Sequence, residues 1–167
     1  MTGVAIRLEG ASEATRKLGA AAARLEHPRA LWEDVGRSLV LSTQQRFEQE
    51  QDPQGNPWPA SIRVLTQGGK TLTDSAAMRN SITFEASDSG VAVGTNAIQA
   101  AVHQFGAVIK AKSADGLKFK IGDRWITKQS VEIPRRAFLG LSDDDETELL
   151  AIAADFVLEP VGGADAR

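Results

Sequence analysis

The stretch from Val91 to Gly106 reads V-A-V-G-T-N-A-I-Q-A-A-V-H-Q-F-G and predicts a short strand, a turn and a helix in close succession. The valines at its start favour a β-strand, which Gly94 breaks. Thr95 or Asn96 then offers a side-chain oxygen to cap a helix, and Gly106 can end that helix. The rest of the chain is organised around this unit.

The helix in that stretch is predicted to bury one face. Its apolar residues recur at spacings of three and four, which places them on one side of a helix. These residues are Ile98, Ala101, Val102 and Phe105. His103 and Gln104 fall beside this face, where it meets solvent or a neighbour.

The composition is that of one globular domain. The chain has 167 residues, of which 42% are hydrophobic and 25% charged, so we expect one domain over residues 1–160 and a flexible tail over 161–167. There are no cysteines, which excludes disulfides and thiolate chemistry. Only two histidines, His27 and His103, are present and no metal-binding spacing joins them, so we expect no metal and no cofactor.

No apolar run approaches the roughly 18 residues that would span a bilayer, and the N-terminus lacks a leader pattern. We therefore expect a protein made in the cytoplasm with no membrane partner. The formal net charge of −3 argues against a general binder of polyanions.

The first half of the chain predicts a strand and two helices. Alternation at Val4, Ile6 and Leu8 predicts the strand. A first helix over 12–25 has the apolar stripe Ala14, Leu18, Ala22 and Leu25. A second, long helix begins at Pro28, ends near Gln49 and aligns Trp32, Val35, Leu39, Thr43 and Phe47 on one side. Gly36 inside this helix suggests that a backbone crosses closely there.

Residues 51–70 hold three prolines and three glycines and predict a long loop without a regular helix or strand. Trp58 in this loop has two interpretations. If it is buried, it pins the loop to the body, and if it is exposed, it is an anchor for a partner. Next, 73–82 predicts a short helix capped by Thr73 or Asp74, and a hairpin leads from Ile82 to Val93.

Residues 107–130 predict a projecting β-ribbon. Leu117, Phe119 and Ile121 alternate with lysines, and Gly122-Asp123 offers a two-residue turn. The ribbon has a charge of +4, because six cations oppose Asp115 and Asp123. These cations are Lys110, Lys112, Lys118, Lys120, Arg124 and Lys128.

Three interpretations of this ribbon remain open. It could bind the acidic end of a neighbouring copy, it could be an ordinary hairpin with solvated lysines, or it could contact DNA through cations and aromatic rings.

The last helix is predicted to begin after Ser142 as its cap and to stop at Pro160. Its first turn carries Asp143, Asp144 and Asp145, which the positive end of the helix dipole favours. Its buried stripe is Leu149, Ile152, Ala153 and Phe156. Eight carboxylates and one arginine give residues 143–167 a charge of −7. The fold class is therefore α+β, with a small mixed or antiparallel sheet packed against the long helix and the C-terminal helix, and with a projecting ribbon.

Candidate chemistry is sparse. His103 could in principle act as a general base in a small hydrolase, although a histidine packed beside an apolar stripe or in a subunit contact explains it more simply. Arg135 and Arg136 are expected to be surface or interface cations, and Phe138 is expected to insert into an apolar slot.

Four ordered motifs resemble the phage virion morphogenesis family of Mu-like tail-completion proteins. They are D-P-x-G-x-P-W at 52–58, N-S-I at 80–82, V-G-T-N with A-x-x-H-Q-F-G at 93–106, and I-P-R-R-A-F-L-G-L-S at 133–142. The resemblance implies a virion protein, not an enzyme, that acts at the head-proximal end of a tail. It further implies a ring, with six copies as the first expectation, in contact with tail tube or sheath proteins and head-connector proteins. A contact with packaged DNA stays an open alternative.

Overall fold

The computed structural model describes residues 11–122 and 124–158, which form an α+β arrangement. The elements in chain order are α1 (Ala11–Glu26), α2 (Arg29–Gln49), α3 (Ile62–Gln67), α4 (Ala77–Asn80), β1 (Thr83–Ser87), β2 (Gly90–Gly94), α5 (Ala100–Phe105), β3 (Ala107–Lys110), β4 (Leu117–Ile121), β5 (Arg124–Lys128), β6 (Ser130–Ile133) and α6 (Asp143–Leu158). The predicted strand at 4–8, the turn residue Asp123, the stop at Pro160 and the tail at 161–167 lie outside the described residues.

The long helix α2 is the scaffold, as its apolar pattern predicts. Pro28 precedes its first residue and Glu50, in the left-handed conformation, ends it. The β1–β2 hairpin and α6 both pack against α2. Leu31, Val35 and Phe47 are among the buried residues of α2.

Gly36 allows a close contact within α2, but the approaching group differs from the prediction. A Cβ atom on Gly36 would lie 2.4 Å from a ring carbon of Phe84, a residue of β1. The expected backbone crossing is therefore wrong. A side-chain ring occupies the space instead, which explains why a helix residue of low intrinsic propensity fits here.

The strands form three two-stranded antiparallel sheets. In the first, β1 pairs with β2, which confirms the predicted hairpin. In the others, β3 pairs with β6 and β4 pairs with β5, and because β4 and β5 lie between β3 and β6 in the chain, these two sheets follow one another along one ribbon. The ribbon is thus confirmed, and its pairing reaches Ile133, slightly beyond the predicted end at residue 130.

The core forms around two phenylalanines with no exposed surface, Phe47 and Phe138. Their ring centroids are 5.3 Å apart, and Phe47 meets Trp58 edge-on at the same separation. Met78 and Ile82 complete the buried cluster. Because the core draws on α2, the loop after it, α4 and the segment before α6, it fixes most of the described chain around one centre.

The loop at 51–70 contains a short helix, α3, that its content of proline and glycine did not predict. Ser61 Oγ accepts a hydrogen bond from the Val64 amide at 3.2 Å and so caps α3. The prediction of a loop without helix is wrong, because the prolines and glycines lie outside these six residues and leave a capped turn free to form.

Two other helix predictions need correction. The short helix α4 covers only Ala77–Asn80 and follows Ala76 at positive φ, so neither Thr73 nor Asp74 caps it. The stripe of α1 is exposed, including Leu18 and Leu25. Helix α1 reaches the body mainly along α6, so its apolar stripe finds no covering layer in a single copy.

Candidate functional site

The segment at 133–142 enters the core instead of lining the surface. Phe138 is fully buried against Phe47, and Trp58 Nε1 donates a 2.9 Å hydrogen bond to the Ala137 carbonyl. The interpretation in which Trp58 pins the loop is thus confirmed, and the alternative of an exposed anchor is wrong. The apolar slot for Phe138 belongs to its own chain, so neither ring is available to a partner.

Arg136 is a buried anchor and not a surface cation. Its Nε donates to the Pro59 carbonyl at 2.6 Å, and Nη2 donates to Ala60 at 3.4 Å. Burial lowers the pKa of its guanidinium. Arg135 does remain exposed, with Nε 3.3 Å from the Gln104 carbonyl oxygen. The two adjacent arginines therefore have different roles.

Gln104 is a positioning residue that its sequence pattern does not reveal. Its Oε1 accepts hydrogen bonds from the amides of Phe138 and Leu139, each at 3.0 Å. Its Nε2 donates to the Leu139 carbonyl at 2.8 Å. One side chain therefore binds three backbone groups of the segment at 133–142, which we call the core segment. It thereby joins the H-Q-F-G motif to the F-L-G part of the motif at 133–142.

Helix α5 turns the predicted face outward. Ile98 is 97% exposed and Phe105 is 75% exposed, while the His103 carbonyl and the Gln104 side chain bind backbone groups of the segment at 133–142. The predicted cap is also wrong, since Gln99 precedes α5 and no side chain caps it. Thr95 Oγ1 instead accepts a local bond from Ala97 N at 3.1 Å. The expected burial of Phe105 is therefore wrong, and its exposed ring is a candidate contact surface for another protein.

His103 is half-buried beside a cavity of about 630 Å³ between α3 and the ribbon. Burial, together with the charge of Arg136, lowers the pKa of its imidazole. Its Nδ1 has no hydrogen-bond partner among the residues described here. Two hydroxyls line the cavity, but Ser61 caps α3 and Thr66 Oγ1 donates to the Ile62 carbonyl at 2.9 Å. The geometry therefore does not assemble a base and nucleophile pair.

The sheet of β4 and β5, which we call the outer sheet of the ribbon, has two different faces. Cross-strand pairing places Phe119 opposite Ile126 on one face, with Leu117 and Ile121 alongside. The other face pairs Lys118 with Thr127 and Lys120 with Trp125. Trp125 is 73% exposed. All six predicted cations of the ribbon, Lys110, Lys112, Lys118, Lys120, Arg124 and Lys128, are exposed.

The acidic start of α6 divides into exposed and buried carboxylates. Asp143 and Asp144 are exposed, as predicted for a solvated helix start. Asp145 is buried and forms an ion pair with Arg46, so it is not part of the surface. Burial of Asp145 opposes its ionisation, but hydrogen bonds from Ser42 and Ser142 and the charge of Arg46 lower the pKa of its carboxyl.

An open groove of about 780 Å³ runs between α2, the loop at 51–55 and the start of α6. Exposed or half-buried carboxylates line it, namely Asp52, Asp143, Asp144 and Glu148. Leu41 and Leu141 add exposed apolar surface to the same groove. Sequence reasoning placed Asp52 only within a motif. The signal that could have located it is the D-P-x-G turn, in which Asp52 Oδ1 accepts from Gln54 and Asn56 amides at 3.0 and 2.8 Å.

Within residues 11–122 and 124–158, His, Asp and Glu side chains form no group of three that could hold a metal ion. No helix in the same part of the chain is long and apolar enough to cross a membrane.

Two comparisons with known proteins found similar proteins, and both are of phage origin. The family model described as the phage virion morphogenesis family matches residues 10–157. The Mu-like prophage FluMu G protein 2 of Haemophilus influenzae (strain ATCC 51907 / DSM 11121 / KW20 / Rd) is 29% identical over 153 residues, which cover 92% of this chain and 95% of that protein. No solved structure matches the chain.

Proposed function

Because this chain belongs to the phage virion morphogenesis family, we propose that it is a structural virion protein that completes the tail and joins it to the head. The observation that carries this proposal is the extent of the match, which includes nearly all of the described residues. We therefore assign the proposed function to the surfaces of this fold.

The exposed surfaces support a role in assembly. A single copy leaves Ile98, Phe105 and Trp125 largely uncovered, and it carries a basic ribbon and an acidic groove on different elements. Aromatic residues such as Phe105 and Trp125 are enriched where proteins contact one another. We propose that copies form a ring at the head-proximal end of the tail, with six as the first number to test, in contact with tail tube or sheath and head-connector proteins.

Inactivating the gene in a phage that carries it tests this function. We expect electron micrographs of the lysate to show filled heads and separate tails, with the tails of irregular length or bare at the head-proximal end. Supplying the intact chain from a plasmid should restore joined particles. Normal, joined virions without the protein would overturn the proposal.

A contact with packaged DNA is the second candidate, and the outer ribbon face is the observation that favours it. Lys118, Lys120 and the exposed ring of Trp125 lie together there, as in surfaces that bind single strands or phosphate backbones. Retention of the purified protein on duplex DNA that weakens steeply with salt would support this role. The variant Lys118→Glu/Lys120→Glu should then elute early.

We propose no enzymatic role. The His103 side chain is the only candidate base that the sequence suggested, and the hydroxyls beside it are engaged in local hydrogen bonds. If His103→Gln leaves the yield of joined particles unchanged, catalysis by this residue is excluded. Loss of particles with normal folding and oligomerisation of this variant would revive the hydrolase hypothesis.

A further inference from the structure

We propose that the outer sheet of the ribbon from one copy docks in the acidic groove between α2 and α6 of the next copy. This inference rests on the proposed role in assembly and specifies the contact that would build the ring. The occupant of the groove is thus a second copy of this chain, bound through the ribbon face that carries Lys118, Lys120 and Trp125.

The groove remains negative because its one buried cation is already compensated. Arg46 lines the groove, but its guanidinium binds Asp145 and the carbonyls of Phe138 and Gly140, both at 2.8 Å. The other lining carboxylates are therefore left to attract an external cation. They are Asp52, Asp143, Asp144 and Glu148.

The carboxylate of Asp52 is held in its charged form. Partial burial opposes ionisation, but hydrogen bonds from Asn56 and Gln54 and the nearby charge of Arg135 lower the pKa of Asp52. The turn that holds it forms one wall of the groove, with Pro53 buried beneath it. This wall is stabilised by local bonds and does not need a partner to form.

The ribbon face matches the groove in charge and in apolar surface. Two lysines on one strand lie opposite Thr127 and Trp125 on the other, so the face carries cations on one side and a ring on the other. The groove has carboxylates on α6 and exposed side chains at Leu41 and Leu141. Exposed ion pairs contribute little affinity, so we assign the anchoring to Trp125 against the leucines and the orientation to the charges.

The two surfaces are separate, which determines the symmetry of the contact. No residue of the groove lies on the ribbon, and the ribbon of the same copy packs near α3. A contact between two different surfaces is heterologous, so each copy can bind one neighbour on each side. Such a contact closes into a ring when the rotation between copies allows it.

Single cysteines provide a direct test because the chain has no native cysteine. Thr127→Cys places a thiol on the outer ribbon face, and Gln45→Cys places one at the groove on α2. With a short bismaleimide, we expect each variant alone to stay uncross-linked and their mixture to give a dimer. The double variant should give a ladder that ends at the size of the ring. Ser87→Cys, at the exposed end of the β1–β2 hairpin, serves as the control partner for Gln45→Cys.

Charge reversal tests the same contact without cross-linking. Lys118→Glu/Lys120→Glu and Asp144→Lys/Glu148→Lys should each reduce the mass measured in solution to that of a monomer. A mixture of the two variants should recover oligomers, because the reversed ribbon of one variant can bind the reversed groove of the other, while the two unchanged surfaces can bind each other. Circular dichroism and thermal melting of each variant would show that the fold is intact.

The outcomes separate this inference from the function on which it rests. If both charge-reversed variants keep the mass of the wild-type oligomer, or if Ser87→Cys cross-links as well as Thr127→Cys, the docking mode is wrong while an assembly role can stand. A wild-type protein that stays monomeric at high concentration would also overturn the docking mode. The assembly role itself fails only if particles form normally without the gene.

Discussion

The guanidinium of Arg46 and the carboxylate of Asp145 form a buried ion pair that joins α2 to α6. Each side chain is 5% exposed, and Arg46 also binds the carbonyls of Phe138 and Gly140. The Asp145 carboxylate also accepts a hydrogen bond from the Ser142 amide at 2.8 Å, and the Asp145 amide donates one to Ser142 Oγ at 3.2 Å. This reciprocal pair of bonds caps α6 while the ion pair attaches the helix to the scaffold.

Removing one partner of this ion pair should destabilise the fold strongly. Asp145→Ala leaves the guanidinium of Arg46 buried without its counter-charge, so we expect a loss of about 3–5 kcal/mol in the free energy of unfolding. Urea denaturation followed by tryptophan fluorescence measures it. Asp144→Ala is the matched control, since this neighbour is exposed and should change stability by less than about 0.5 kcal/mol. Equal effects of the two variants would refute the structural role of the pair.

A glycine comparison tests the contact between α2 and β1. Gly36→Ala would place its Cβ 2.4 Å from the Phe84 ring, and we expect the overpacking to cost about 1–3 kcal/mol despite the better helix propensity of alanine. Gly19→Ala in α1 meets no atom within 4 Å and should stabilise the protein by up to about 1 kcal/mol. Thermal unfolding of the two variants should therefore shift in opposite directions, and a shift in the same direction would disprove the close contact.

The pKa of His103 predicts a pH dependence of stability. Because burial lowers this pKa below the usual 6.5, the unfolded chain takes up a proton before the folded one does. The contribution of neutral His103 is therefore fully present above about pH 6.5 and is lost as the pH falls toward the folded-state pKa. His103→Gln should flatten this part of the stability profile, measured by urea denaturation between pH 7.5 and 5. His27→Gln is the control because His27 is exposed, and the wild-type slope should persist in that variant.

Sequence patterns correctly predicted the elements whose apolar faces are covered by other parts of the same chain. The period of α2, the alternation in the β1–β2 hairpin and the capped start of α6 all predict what the structure shows. The same logic fails at α5, where the apolar side is exposed and Gln104 faces the core segment. A periodic pattern shows that a face is apolar, but it does not show whether the same chain or another one covers it.

Contacts between residues that lie far apart in the sequence could not be predicted either. Arg46 and Asp145 are 99 positions apart, and each is of a residue type that is usually exposed to solvent. Arg136 likewise becomes buried only because the loop at 59–60 supplies carbonyl oxygens to it. Such partners are brought together by the tertiary fold, so neither spacing nor residue type could identify them in advance.

The hydrogen bonds of Gln104 predict a graded series of variants. Gln104→Leu leaves the amides of Phe138 and Leu139 and the Leu139 carbonyl without their partner, and we expect a loss of at least about 2 kcal/mol. Gln104→Glu keeps the acceptor for both amides but puts a second oxygen against the Leu139 carbonyl, so its loss should be smaller when the carboxyl is protonated and can donate to that carbonyl than when it is ionised. Hydrogen exchange at the two amides should accelerate in the leucine variant. Gln99→Leu, an exposed change next to the same helix, should alter neither stability nor exchange, and a leucine variant as stable as this control would show that Gln104 does not hold the segment.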